Sequence, residues 1–185
     1  MSVSIQDGWL TSARRCPSPN YNERPPGEAI SLLVVHNISL PPGQFGTGCV
    51  EDFFCNQLDI NRDPYFEQIR DLRVSAHLFI TRDGELVQFV PLDRRAWHAG
   101  ASEFDGRTEC NDFSIGIELE GCDDLPYTEP QYRRLAEVTR LLLSCYPALT
   151  PERITGHSDI APGRKTDPGP AFDWRHFRSQ LSERL

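Results

Sequence analysis

The chain has 185 residues, 38% hydrophobic and 25% charged, with a formal charge of −8 and a sequence pI near 5.1. That length suits one domain, and that apolar content suffices for a buried core, which excludes wholesale disorder. The acidity, with no run of Lys and Arg among aromatics, repels a phosphate backbone and excludes nucleic acid as a partner.

The opening MSVSIQDGWLTSARRC has no basic segment leading into a long apolar run, and no later run is long enough to cross a bilayer. A cytoplasmic protein without a membrane partner is expected. In that compartment the six cysteines (16, 49, 55, 110, 122 and 145) are expected to be free thiols. The nearest pair, Cys49 and Cys55, does not form a C-x-x-C knuckle, so cysteine is not expected to carry the chemistry.

AISLLVVHNISL (29–40) is a continuous β-branched run between RPPGE and PPGQFG, as a strand buried on both faces should be. His36 and Asn37 fall at its C-terminal end, where α/β folds place functional groups. Residues 41–73 are rich in Gly, Pro, Asn and Asp, with one short helical piece expected at 52–58, and read as a polar, moving surface lid. AHLFITRDGELVQFV (76–90) reads as a hairpin whose Asp-Gly supplies the positive φ angles of a tight turn.

DFSIGIELEG alternates, with Ile115, Ile117 and Leu119 on one face and Ser114, Gly116, Glu118 and Glu120 on the other. YTEPQYRRLAEVTRLLLSCYP carries a capping-box spacing at Thr128 and Gln131, then apolar groups at helical intervals. ITGHSDIAPGRKTDPGP is a stiff loop in which Pro168 pushes Asp167 toward extended backbone, so that Lys165 and Asp167 project the same way. A last helix is expected from an Asp173 N-cap to the C-terminus, with Trp174, Phe177 and Leu181 on its inner side. No repeat or linker interrupts this order. The fold expected is α/β (α+β-like), a single domain over 1–185 with a central mixed β-sheet flanked by helices and a long lid-like loop region.

His36, His157 and Asp167 supply two imidazoles and a carboxylate, a set that suits Zn²⁺ and leaves a fourth position for water. Zinc brings the pKa of water down to about 7 and polarises carbonyls, the requirements of amide hydrolysis. The competing reading makes each of the three an ordinary hydrogen-bonding residue, and their wide separation in sequence does not decide between the two.

The segments LLVVHNISLPPGQFG, LRVSAH, RAWHAG, CNDFSIGIELEG and TGHSDIAPGRKTDPGP resemble, in order and nearly end to end, the bacterial cytoplasmic 1,6-anhydro-N-acetylmuramyl-L-alanine amidases of the AmpD type. The resemblance implies a zinc amidase that cuts between the lactyl group of anhydro-N-acetylmuramic acid and the L-alanine of the stem peptide, on recycled wall fragments. It implies His36, His157 and Asp167 as zinc ligands, Glu118 as the acid/base residue, with Glu120 as rival on the same face, and Lys165 as the group that steadies charge on the carbonyl oxygen. Asn37 is expected to bind the peptide, Arg73 to pair with a carboxylate of the diamino acid, and Trp97 to pack on the sugar.

The protein is expected to be a monomer whose partner is a small 1,6-anhydromuropeptide, and by the same analogy its turnover is expected to lower the inducing signal for chromosomal β-lactamase. Glu109 stands where some relatives have Arg, and Arg107 is the nearby residue expected to compensate. His77, His98 and His176 are assigned structural or supporting roles. The alternative class is a non-hydrolytic binder of wall fragments, which shares the fold but commonly lacks a ligand residue; this chain keeps all three.

Overall fold

The computed structural model describes residues 4–182. Its central strands are Arg14–Arg15 (β1), Leu32–Ile38 (β2), Leu78–Ile80 (β3), Leu86–Gln88 (β4), Ser114–Glu120 (β5) and Ile154–Gly156 (β6). They form one sheet in the order β6-β2-β5-β3-β4-β1. β5 is parallel to both β2 and β3, β6 is parallel to β2, and β3 is antiparallel to β4, so the sheet is mixed.

Alternation along β5 sorts its residues as the sequence implies, and both faces are covered. Ile115, Ile117 and Leu119 join Leu33 and Val35 of β2 against Leu135, Ala136 and Leu142 of the long helix Glu129–Cys145 and Phe177 of the terminal helix Trp174–Ser182. The long helix starts at the expected capping box: the Thr128 hydroxyl accepts from the Gln131 amide, and the Gln131 side chain accepts from the Thr128 amide. The Asp173 carboxylate accepts from the His176 amide at 2.8 Å, the cap expected for the last helix. Its expected continuation past Ser182 lies outside the described residues. On the opposite face, Leu32 and Val34 pack with Phe113 and Ile160.

Three expectations need correction. The hairpin turn takes its positive φ from Gly84 alone, not from Asp83 as well. Thr81 donates to the Glu85 carbonyl and Gly84 to the Thr81 carbonyl, so the loop has three residues, with Gly84 at φ 87° and Asp83 outside the positive-φ residues. Asp83 instead accepts the Thr81 hydroxyl proton, the side-chain alternative open to an Asp in a turn.

The short helix comes earlier than expected, at Cys49–Phe54, because Gly48 turns the chain in at φ 77° and Asn56 turns it out at φ 59°. Residues 41–73 are also better anchored than their composition implies. Phe53, Phe54, Phe66 and Ile69 bury themselves against Phe79, Val87 and Phe89 of the hairpin. The buried Glu120 carboxylate ties the excursion to the sheet, accepting from the Gly46 amide at 2.5 Å and the Arg82 amide at 3.0 Å.

Among the described residues, no helix is long and apolar enough to cross a membrane. All six cysteines are thiols, with Cys16 and Cys55 the pair in sulfur contact, at 3.5 Å.

Two outcomes follow from this packing. Phe177→Ala should lower stability by about 3–5 kcal/mol through transfer and cavity costs, read as a lower urea midpoint at unchanged slope; a loss below about 1 kcal/mol would show that the terminal helix lies outside the cooperative core. Glu120→Ala should cost about 0.5–1.5 kcal/mol by removing the acceptor of two amide hydrogen bonds and accelerate hydrogen exchange at Gly46 and Arg82. Unchanged exchange at both amides would mean that the tether does not persist in solution.

Candidate active site

Because β2, β5 and β6 run parallel, their C-terminal ends share one edge, and the loops beyond them enclose a cleft of about 660 Å³. His36 and Glu118 are direct cross-strand partners there. On the other side of β2, Gly156 is paired with Val35, so His157, the next residue and the first of the short helix His157–Ile160, arrives beside His36. Two strand registers thus bring two imidazoles and a carboxyl together.

Asp167 comes from the stiff loop, whose shape is set from several sides. The Ser158 amide donates to the Asp167 carbonyl at 2.9 Å, and the Tyr127 hydroxyl donates to the Pro168 carbonyl at 2.7 Å. Gly169 sits at φ 80° with its α-carbon against Asp123, where a β-carbon would come within 2.3 Å of the Asp123 backbone. Only glycine permits that approach.

The result is a tight donor cluster. His36 Nδ1 and His157 Nδ1 are 2.9 Å apart, and each is 3.0 Å from Asp167 Oδ2. His157 Nε2 faces the Ala99 carbonyl at 3.0 Å, which accepts a proton and offers none, so Nε2 carries the hydrogen and Nδ1 of the neutral ring is a bare lone pair. Burial pushes the His36 imidazole down to about 4, more than its bond to Asp167 raises it. Burial works against ionising Asp167 as well, but its close contacts with His157 and His36 outweigh that and hold the carboxylate well below its ordinary range. Lone pairs and one negative charge directed at a single point repel each other until a cation stands between them. Two imidazole nitrogens and one carboxylate oxygen are a donor set that fits zinc.

Glu118 lines the same cleft, buried, with Oε2 lacking any hydrogen-bond partner. Burial, then the charge of Asp167, pushes its carboxyl well above the ordinary 4.5, with Lys165 opposing. Glu120, its rival by alternation, has both oxygens committed to the Gly46 and Arg82 amides. Lys165 is exposed and lines the cleft, close enough to favour the ionised form of Glu118.

Asn37 and Trp97 also line the cleft, Asn37 donating to Asp123 at 2.9 Å and the Trp97 indole donating to Asn22 at 2.7 Å. Arg73 is not brought to the lining: its guanidinium donates to the carbonyls of Arg70 and Leu72, at 3.0 and 2.9 Å. Arg107 does not compensate for Glu109. It pairs with Glu28 at 2.9 Å and lies over the Phe113 ring at 4.0 Å, while Glu109 pairs with Arg95 at 3.3 Å, all away from the cleft. Asp123, which fixes both Asn37 and the Gly169 turn, was not singled out from sequence; an acidic residue just past a strand end was its one signal.

Residues 26–170 match the family model described as N-acetylmuramoyl-L-alanine amidase. The chain is 59% identical over 179 residues, 97% of each chain, to the 1,6-anhydro-N-acetylmuramyl-L-alanine amidase AmpD of Escherichia coli K12. A crystal structure of a selenomethionine AmpD derivative superposes with a TM-score of 0.94 at 58% identity, covering 97% of this chain and 99% of that one. The E. coli amidase AmiD, solved with anhydro-N-acetylmuramic acid-L-Ala-D-γ-Glu-L-Lys, shares the fold at a TM-score of 0.60 and 27% identity, over 97% of this chain and 65% of that one. Matched across most of its length by the family model and nearly throughout by such a relative, the chain belongs to the N-acetylmuramoyl-L-alanine amidase family.

Proposed function

We propose that residues 1–185 act as one zinc-dependent amidase domain that hydrolyses the amide between the lactyl group of 1,6-anhydro-N-acetylmuramic acid and the L-alanine of the stem peptide. One observation carries this reading: in a chain of this family, three donors converge beside a buried carboxyl with one oxygen unpartnered. His36, His157 and Asp167 would hold the ion. Zinc, when bound, supplies Lewis acidity that acidifies water and polarises a carbonyl.

The remaining chemistry belongs to the chain. Glu118 takes a proton from the attacking water and returns it to the leaving amine of L-alanine, a double duty suited to a carboxyl with a raised pKa. Lys165 places its ammonium toward charge developing on the carbonyl oxygen. Asn37 and Trp97 offer an amide and a ring face to the peptide and sugar at the cleft wall. Arg73 reaches a stem-peptide carboxylate by releasing two exposed carbonyl contacts, which costs little at the surface. We place the enzyme in the cytoplasm as a monomer, acting on recycled wall fragments and thereby lowering the inducing signal for chromosomal β-lactamase.

Stripping zinc with a chelator should abolish release of L-alanyl peptide from anhydromuropeptide, zinc should restore it, and His36→Ala should lose both metal and activity. An unchanged rate after chelation would rule out the mechanism. Glu118→Gln should lower kcat by about 10²–10⁴-fold while zinc stays bound.

The same variant has a stability signature in metal-free protein. The folded pKa of Glu118 lies above its unfolded value, so the native state binds the extra proton and the wild type loses stability as pH rises past 4.5. Glu118→Gln should match the wild type in acid and exceed it at neutral pH in urea unfolding. Identical pH profiles would show that the carboxyl is not held protonated.

A further inference from the structure

His36 has two ring nitrogens, and the face turned away from the donor cluster is as constrained as the face turned toward it. His36 Nε2 lies 2.9 Å from His98 Nδ1, and His98 Nε2 lies 3.0 Å from the Ser114 hydroxyl. All three side chains are buried, His98 at 9% exposure being the most open. The sheet makes room for this chain of contacts at Gly116: a β-carbon there would stand 2.5 Å from the His98 ring. Asn111 fixes the backbone beneath it, its carbonyl oxygen accepting from the amides of His98 and Ala99 at 3.1 and 2.8 Å. A strand residue with no side chain, a ring in the vacated space and an Asn holding that ring's backbone are more than an ordinary packed histidine requires.

With both rings neutral, the His36–His98 contact and the His98–Ser114 contact each hold a single proton, so the chain has two settings. In one, His36 Nε2–H donates to His98 Nδ1 and His98 Nε2–H donates to Ser114, which leaves His36 Nδ1 bare and turned to the cluster. In the other, the Ser114 hydroxyl donates to His98 Nε2 and His98 Nδ1–H donates to His36 Nε2, which puts a proton on His36 Nδ1 and closes it to a metal. A metal-binding histidine generally donates its far N–H to a partner that fixes ring and tautomer, and loss of that partner costs about 10–100-fold in metal affinity.

We propose that His98 is a positioning residue for the metal centre: it accepts the His36 Nε2 proton, passes its own Nε2–H to Ser114, and so holds His36 Nδ1 bare and aimed at His157 and Asp167. The Gly116 gap exists to admit it. This inference rests on the zinc reading above, and it assigns His98 no contact with substrate.

The test is zinc affinity, measured by competition with a chromophoric chelator. His98→Ala should weaken zinc binding about 10–100-fold. His98→Asn, whose amide oxygen can replace Nδ1 as acceptor, should recover part of that loss. A purely structural role would lower the unfolding midpoint in both variants without this ordering. If His98→Ala binds zinc as tightly as the wild type, or if Asn and Ala weaken binding equally, the proposal is overturned while the zinc reading stands.

A second measurement needs no variant. Long-range ¹H–¹⁵N spectra of the zinc-loaded wild type should show His36 and His98 both protonated at Nε2 and without a proton at Nδ1. A proton on His98 Nδ1 would overturn the relay even if every variant misfolded. A wild-type chain that binds no zinc would sink this inference and the zinc reading together.

Discussion

The site depends on the parallel register of β2 with its two neighbours. Pairing Val35 with Gly156 on one side and His36 with Glu118 on the other fixes three functional positions from one strand. A slip of one residue would send His36 to the side of the long helix, among Leu33 and Val35, and bring an apolar residue to the cleft. That register is held by burial on both faces of β2 and β5, where apolar clusters pack against each side. Packing and chemistry are therefore one constraint: the residues that secure the strands also set the distances between donors.

Within that frame, environment divides the labour between two carboxyls. Asp167 lies against two imidazoles and is held in its ionised form, whereas burial, then the charge of Asp167, raises the proton affinity of Glu118, one of whose oxygens is unpartnered. Pushing two nearby acids in opposite directions is how one site provides both a fixed anion and a proton carrier. Lys165 moderates the second shift from the solvent side, which leaves it free to respond to charge that develops in the cleft.

Much of this was legible in the sequence, and the failures have physical causes. Periodicity revealed β2, β5 and both long helices because each is amphipathic or fully apolar, and Thr128 and Asp173 announced their caps. The donor types at 36, 157 and 167 were visible, but their convergence was not, since it depends on strand pairing over more than a hundred residues of sequence. Alternation could not separate Glu118 from Glu120, which share a face. What separates them is the amides of Gly46 and Arg82, brought in by loops whose path the sequence does not encode locally. The excursion over 41–73 misled for a related reason: its few aromatics, spaced irregularly, find a buried surface that no local pattern discloses. Arg73 and Arg107 illustrate the remaining limit, for a surface guanidinium takes whichever carbonyl, carboxylate or ring lies nearest.

The loop that carries Lys165 and Asp167 shows why so many restraints meet at one place. Burying a carboxylate against two imidazoles is unfavourable unless the geometry is already correct when a cation arrives, because reorganisation would consume the gain. Pro168 and Pro170 limit the unfolded chain, Gly169 allows contact with Asp123, and the Tyr127 hydroxyl holds the Pro168 carbonyl. None of these residues needs to touch a substrate. They remove conformational freedom in advance, so that the cluster meets its ligand with the ordering cost already met by the fold. The opposite side of the centre is built on the same principle, with Gly116 yielding space to a ring and Asn111 holding that ring's backbone. Rigid support on both sides allows a site made from distant segments to keep its donor atoms about 3 Å apart.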